Sequence, residues 1–262
     1  MAKLSQAEWK RYTELLGKLS AEAKDLFVSW VVQNGGYANI DRKAVIDMAY
    51  LISFKYAEGS SALAATLYDQ MALKTGKKVA AAELAGVDYG EIAKAINGAL
   101  KVSMNEEYIG GIVGRFVKQA GADTTLRNAL RDGAEFAWIP SGDTCAFCLM
   151  LGANGWQTAS KKVIKNGHAE HIHSNCDCNY CVRFNSFMEV EGYNPQKYWE
   201  MYQNGDEVPY ENEDMSRGMK RGKWREKLNG LRRELYQENK AKIDEQKRIL
   251  YEEDKMEASA QK

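Results

Sequence analysis

The sequence predicts a mainly α protein: an N-terminal helical body, a small cysteine- and histidine-rich module of α+β or irregular structure, and a charged helical C-terminal tail. Apolar residues recur at three- and four-residue steps through the first 137 positions, the period of a helix buried on one face. All five cysteines and all three histidines fall between Cys145 and Cys181. Beyond about residue 207 the apolar stripe gives way to charge. The divisions read from these changes are 1–137, 138–206 and 207–262.

Each element of the helical body has its own signals. Ser5-x-x-Glu8 has the form of a capping box, in which two side chains close the free donors at a helix start. Trp9, Tyr12, Leu16, Leu19, Ala23, Leu26 and Trp30 follow as one apolar face, and Gly35-Gly36 ends the helix. Asp41 caps a second segment with Val45, Met48, Ile52 and Tyr56 inward. Gly59-Ser60-Ser61 is expected to interrupt it before Leu63, Leu67 and Met71 carry the pattern on to Gly76. A third segment carries Tyr89, Ile92, Ile96 and Ala99. A fourth follows Asn105 with Tyr108, Ile112, Phe116 and Ala120, and a fifth follows Asp123-Thr124-Thr125 with Leu126, Leu130 and Phe136. No stretch of comparable length alternates as a half-buried strand does. The aromatics are expected in the core.

Trp138-Ile139-Pro140-Ser141-Gly142-Asp143 opens the second module, with proline and glycine breaking the helix and setting Cys145 and Cys148 on a turn. Asp143 reads as a turn cap or as a partner that orients a metal ligand. From Gly152 through Gly155, Trp156 and Lys161-Lys162, a hairpin-like or irregular loop fits better than a long helix. The metal-binding types read Cys145-x2-Cys148, then His168, His171 and His173, then Cys176-x-Cys178-x2-Cys181. Two thiolates with two residues between them grip one tetrahedral ion from a tight turn, and a second cluster completes four bonds. The odd number of cysteines argues against a full set of disulfides. So does an opening, Met-Ala-Lys-Leu-Ser-Gln-Ala-Glu, that reads as a helix start and not as an export signal. Interleaved histidines favour zinc over an iron–sulfur cluster. A structural zinc is expected, held by Cys145, Cys148, His173, Cys176 and Cys178 as candidates, with Cys181 and His171 as further ones.

The order Asp-x-Cys-x-x-Cys, a gap of about 25 residues, then His-x-x-Cys-x-Cys is carried by Asp143, Cys145, Cys148, His173, Cys176 and Cys178. It resembles phage Mu F-like head morphogenesis, or minor capsid, proteins. Relatives in tailed phages of Gram-positive hosts look similar at Ala64-Ala65-Thr66-Leu67-Tyr68-Asp69, at Ile139-Pro140-Ser141-Gly142-Asp143, and at Gly192-Tyr193-Asn194-Pro195 with Tyr198. The resemblance covers roughly residues 1–210. This chain departs from it in having His173-Ser174 where His-Pro is common, and in the extra thiol Cys181. Similar modules are often fused to toxin or ADP-ribosyltransferase domains, and too few residues follow this cluster for one. The resemblance implies a structural virion protein of the phage head, present in the host cytoplasm during assembly. Its partners would be the portal and other head proteins, and it would act in head assembly and in DNA packaging or ejection.

Catalysis is not expected. A serine or cysteine protease needs a nucleophile beside a positioned histidine, and every cysteine and histidine here sits in one cluster. A catalytic zinc keeps an open position, whereas this cluster offers six or more ligands. The alternative is a zinc-containing enzyme acting on nucleic acid. His168-Ala169-Glu170 before Cys178-x-x-Cys181 superficially resembles a zinc deaminase signature, but seven residues separate the parts and the proline is missing. An HNH-like nuclease would need one of His168, His171 or His173 free of zinc.

Formal net charge is zero, so bulk electrostatics point to no nucleic-acid or membrane partner. No run approaches the roughly 20 apolar residues of a membrane span. Apolar content of 45% with 27% charged residues is ordinary for a soluble globular chain, and no small-molecule substrate is implied. In the tail, Arg217 to Arg233 hold eight basic residues against Glu226. Lys220, Arg221, Lys223, Trp224 and Arg225 read either as a weak, sequence-blind DNA contact or as a solvated helix face. Leu228, Leu231 and Leu235 form one short stripe, too narrow to bury alone. Such a segment is an exposed tail or orders on a partner.

Overall fold

A computed structural model of the chain describes residues 2–140, 146–161 and 178–204. The protein is mainly helical. Its described residues group into two compact units, one drawn from Met1–Thr144 and Asn154–Pro195, the other from Cys145–Ala153 and Gln196–Lys262.

In the first unit, strand β1 (Lys3–Leu4) leads into α1 (Gln6–Gln33). Both halves of the capping box form: Glu8 N–H donates to Ser5 Oγ at 3.2 Å, and Ser5 N–H donates to the Glu8 carboxylate at 2.9 Å. The buried face of α1 is Trp9, Tyr12, Leu16, Ser20, Ala23, Phe27 and Val31. It leaves the expected stripe after Leu16, so that Leu19 and Trp30 are half-buried and Leu26 is exposed. Both stripes satisfy the helical period, and the partner helix decides between them.

That partner is α4 (Glu106–Asp132), buried on nearly every side. A Cβ on Gly114 would lie 2.8 Å from the carbonyl oxygen of Ser20, and one on Gly121 would lie 2.7 Å from the hydroxyl of Ser60. Glycine at these positions lets the α1 and α2 backbones approach, which fixes Ser20, not Leu19, as the residue facing α4.

The same contact corrects the expected break in α2, which runs unbroken from Arg42 to Lys74. Gly59, Ser60 and Ser61 are small because helices pass close by: Leu19 Cδ1 comes within 3.3 Å of where a Gly59 side chain would begin. The fourth and fifth expected segments are likewise one helix. Thr124 and Thr125 lie inside it, their hydroxyls satisfied by donating back to the carbonyls of Ala120 and Gly121 at 2.8 and 3.2 Å. The stripe of α4 begins at Ile109, leaving Tyr108 exposed. Helix α3 (Tyr89–Val102) packs Ile92, Ile96 and Ala99 into the core, while Tyr89 is exposed, donating to Asp47 at 2.7 Å. Phe27, Val31, Val45, Ile92, Val113 and Phe116 meet at the centre of this bundle.

Between α2 and α3 the chain runs without regular structure, and side chains of the helices satisfy its peptide groups. Asn128 accepts from Glu83 N–H and donates to Glu83 C=O, both at 2.9 Å. Ala85 N–H donates to Thr124 Oγ1, Ser61 Oγ donates to Ala85 C=O, and Arg131 reaches the carbonyls of Ala80 and Ala81. The result is a strap bound down along its length.

Helix α4 ends at Gly133, whose φ of +64° is the left-handed cap that suits glycine. Strand β2 (Glu135–Ile139) follows, so Phe136 and Trp138 lie in a strand and not in a helix or a turn. It is the middle strand of an antiparallel sheet ordered β3-β2-β4, with β3 at Gln157–Thr158 and β4 at Asn179–Arg183. Both longer strands are buried on both faces, which removes the alternation that marks a strand in sequence. The boundary expected after residue 137 falls inside β2. Strand β5 (Glu189–Val190) pairs in parallel with β1, matching Lys3 to Glu189 and Leu4 to Val190.

The described part of the second unit comprises α5 (Ala146–Ala153) and, from Gln196 on, α6 (Pro195–Asn204). In α6, Trp199 and Tyr202 stack with ring centroids 5.9 Å apart.

Candidate metal centre

Of the expected ligands, Cys148, Cys178 and Cys181 are described, and all three are buried. Asp143, Cys145, His168, His171, His173 and Cys176 lie outside the described residues, as do Lys220, Arg221, Lys223, Trp224, Arg225 and the rest of the charged tail. Among the described residues, no three His, Cys, Asp or Glu side chains converge where a metal ion would sit.

Cys148 is the third residue of α5 and so lies on a helix, not on the turn that the sequence led us to expect. A helix N-terminus carries free N–H donors and a partial positive charge, which favour thiolate over thiol.

Cys178 immediately precedes β4, and Cys181 is the middle residue of that strand. Five consecutive pairs fix the register of β4 on β2: Asn179 with Ile139, Tyr180 with Trp138, Cys181 with Ala137, Val182 with Phe136 and Arg183 with Glu135. Tyr180 therefore shares a face with Trp138 and Phe136, making edge-on ring contacts to them at 4.5 and 5.6 Å. Cys181 shares the other face with Ala137. Burial holds the Tyr12 hydroxyl of α1 above its usual range, a charge on Cys181 would raise it further, and burial pushes the Cys181 thiol up to about 12.

Beyond Cys181 the strand ends in an anchored cluster. Arg183 Nε donates to Glu135 Oε2 at 2.6 Å while its guanidinium lies 4.7 Å from the centre of the Trp156 ring, and Trp156 meets Tyr193 edge-on at 5.6 Å. Sequence reasoning singled out Gly192-Tyr193-Asn194-Pro195 and Trp156 without pairing them.

A family model described as VG15 protein matches residues 3–205. The chain belongs to the VG15 protein family. The match begins at β1, takes in the helical bundle, the sheet and the whole cysteine–histidine cluster, and stops ahead of the basic stretch at Arg217. VG15 denotes a viral gene product, and the identity it supports is that of a phage protein. No helix among the described residues is long and apolar enough to cross a membrane. No curated protein and no solved structure matches the chain.

Proposed function

We propose that this VG15-family chain is a structural minor capsid, or head morphogenesis, protein of a tailed phage. It would associate with the portal, act in head assembly and in DNA packaging or ejection, and reside in the virion. The observation that carries this reading is the family match over residues 3–205, whose cysteine–histidine order also resembles Mu F-like head proteins.

The donor set fits zinc. Thiolates and imidazoles in this number suit a closed tetrahedral site. Cys148, at a helix start, and Cys178, just ahead of a strand, are the described members of that set. Cys145 and Cys148 would supply two bonds, and two of His173, Cys176, Cys178 and Cys181 the others. Zinc bound there supplies a crosslink between two stretches of chain. Such a site has no open position for substrate, so the reading assigns no catalysis.

The test is co-sedimentation of the purified chain with portal oligomer, beside nuclease, protease and deaminase assays with added zinc or magnesium. Portal binding without activity is expected. Hydrolytic activity lost in His168→Ala or His171→Ala with zinc retained would overturn the reading in favour of an enzyme acting on nucleic acid.

A further inference from the structure

We infer that Cys181 is not a metal ligand, although it completes a Cys178-x2-Cys181 spacing that reads as a chelating pair: it is a core thiol of the β2–β4 sheet. The inference refines the zinc reading above and rests on it for the ligand count, but not for the placement of Cys181.

Strand geometry separates the two cysteines. Two thiolates on one zinc, each about 2.3 Å from the ion, lie within about 4 Å of each other. A Cys-x2-Cys pair reaches this separation when the intervening residues curl, as at a helix start or a tight turn. Asn179, Tyr180 and Cys181 are instead extended, each paired with a residue of β2. Three extended steps carry the chain about 10 Å and turn the side chain to the opposite face. The face that Cys181 occupies is already committed. Ala137 is its direct partner, and Tyr12 of the helical body stands near it. Cys181 is only 1% exposed, and its sulfur has a backbone carbonyl, that of Val182, at 3.7 Å. Moving that sulfur to an ion shared with Cys178 would require breaking the middle of the ladder.

The experiment uses the full-length reduced chain. Zinc per chain is measured for the unmodified protein, Cys148→Ser and Cys181→Ala. Iodoacetamide labelling of each cysteine is then mapped by peptide mass before chelation, after chelation and in denaturant. Cys181→Ala is expected to keep the unmodified zinc content, and Cys148→Ser to lose it. After chelation Cys181 should label more than about 1,000-fold more slowly than Cys148, as a group exposed only by global opening does. Loss of zinc from a folded Cys181→Ala, or labelling of Cys181 in step with Cys148, would overturn the inference. If Cys181→Ala does not fold, Cys181→Val, which suits a strand, replaces it, and the labelling map of the unmodified chain decides the same question. An unmodified chain without zinc would sink the zinc reading alone. Slow labelling of Cys181 in that chain would still support its core placement, and fast labelling would refute it.

Discussion

The hydroxyl of Ser20 donates to the carbonyl of Gly114 at 2.9 Å, at a crossing where α1 and α4 leave no room for a side chain on the glycine. Alanine in a helix interior normally gains about 1 kcal/mol over glycine. Here the new methyl would meet the Ser20 backbone, which cannot move away without the whole of α1. Gly114→Ala is therefore expected to destabilise by about 1–3 kcal/mol. Gly98 of α3 has no atom within 4 Å of where a side chain would begin, and Gly98→Ala should stabilise by about 0.5–1 kcal/mol. Urea midpoints of the two variants are expected to move in opposite directions.

The strap between α2 and α3 gives a second expectation. Asn128→Ala removes both bonds to the Glu83 peptide and one to the Thr124 carbonyl. A stranded polar group costs about 1–3 kcal/mol when buried and less where water reaches it. A net loss of about 2 kcal/mol is expected. Amide exchange should quicken at Glu83 well before it does in α1, and equal protection at Glu83 in both chains would contradict the assignment.

Acid should loosen the N-terminal end first. The Glu8 carboxylate is held down at about 2, against an ordinary 4.5, by hydrogen bonds from Lys74 and then from Ser5. A depressed folded value stabilises above the unfolded one, and the contribution is lost as pH falls from about 4.5 towards 2. The pair is partly exposed, so the amount stays below about 1 kcal/mol and shrinks with salt. Glu8→Gln should flatten that part of the stability profile and leave the range above pH 5 parallel to the unmodified chain.

Metal removal gives a fourth expectation. About one zinc per chain is expected, lost in Cys145→Ser and in Cys148→Ser. The bundle of α1, α2 and α4 has its own apolar core, so helicity by circular dichroism should fall only slightly while the stretch after Pro140 becomes protease-sensitive. A metal-free chain with unchanged protease resistance would contradict the staple.

What the sequence disclosed depended on the range of the interaction. Ser5, Asp41 and Asn105 were legible as caps because the groups they satisfy are two or three residues away. Gly59-Ser60-Ser61 and Asp123-Thr124-Thr125 misled because the same small or polar residues serve local breaks and close helix crossings, and only the partner helix distinguishes the two. Strands β2 and β4 were invisible because burial on both faces erases their alternation. In the candidate centre, the clustering of Cys145 to Cys181 was plain. The spacing of Cys178 and Cys181 carries no information on whether the chain between them is curled or extended, and the pairing of Cys181 with Ala137 supplies it.

Strand β1 has a consequence for the order in which the molecule is made. Gln6 N–H donates to Glu191 across 185 positions, and Leu4 is fully buried beside the strand that Glu189 begins. At synthesis rates of roughly 5–20 residues per second, the first strand waits about 10–40 seconds for its mate to leave the ribosome. Throughout that interval Leu4 lacks the strand that covers it, so this part of the nascent chain is open to chaperones and proteases until residues 189–191 arrive.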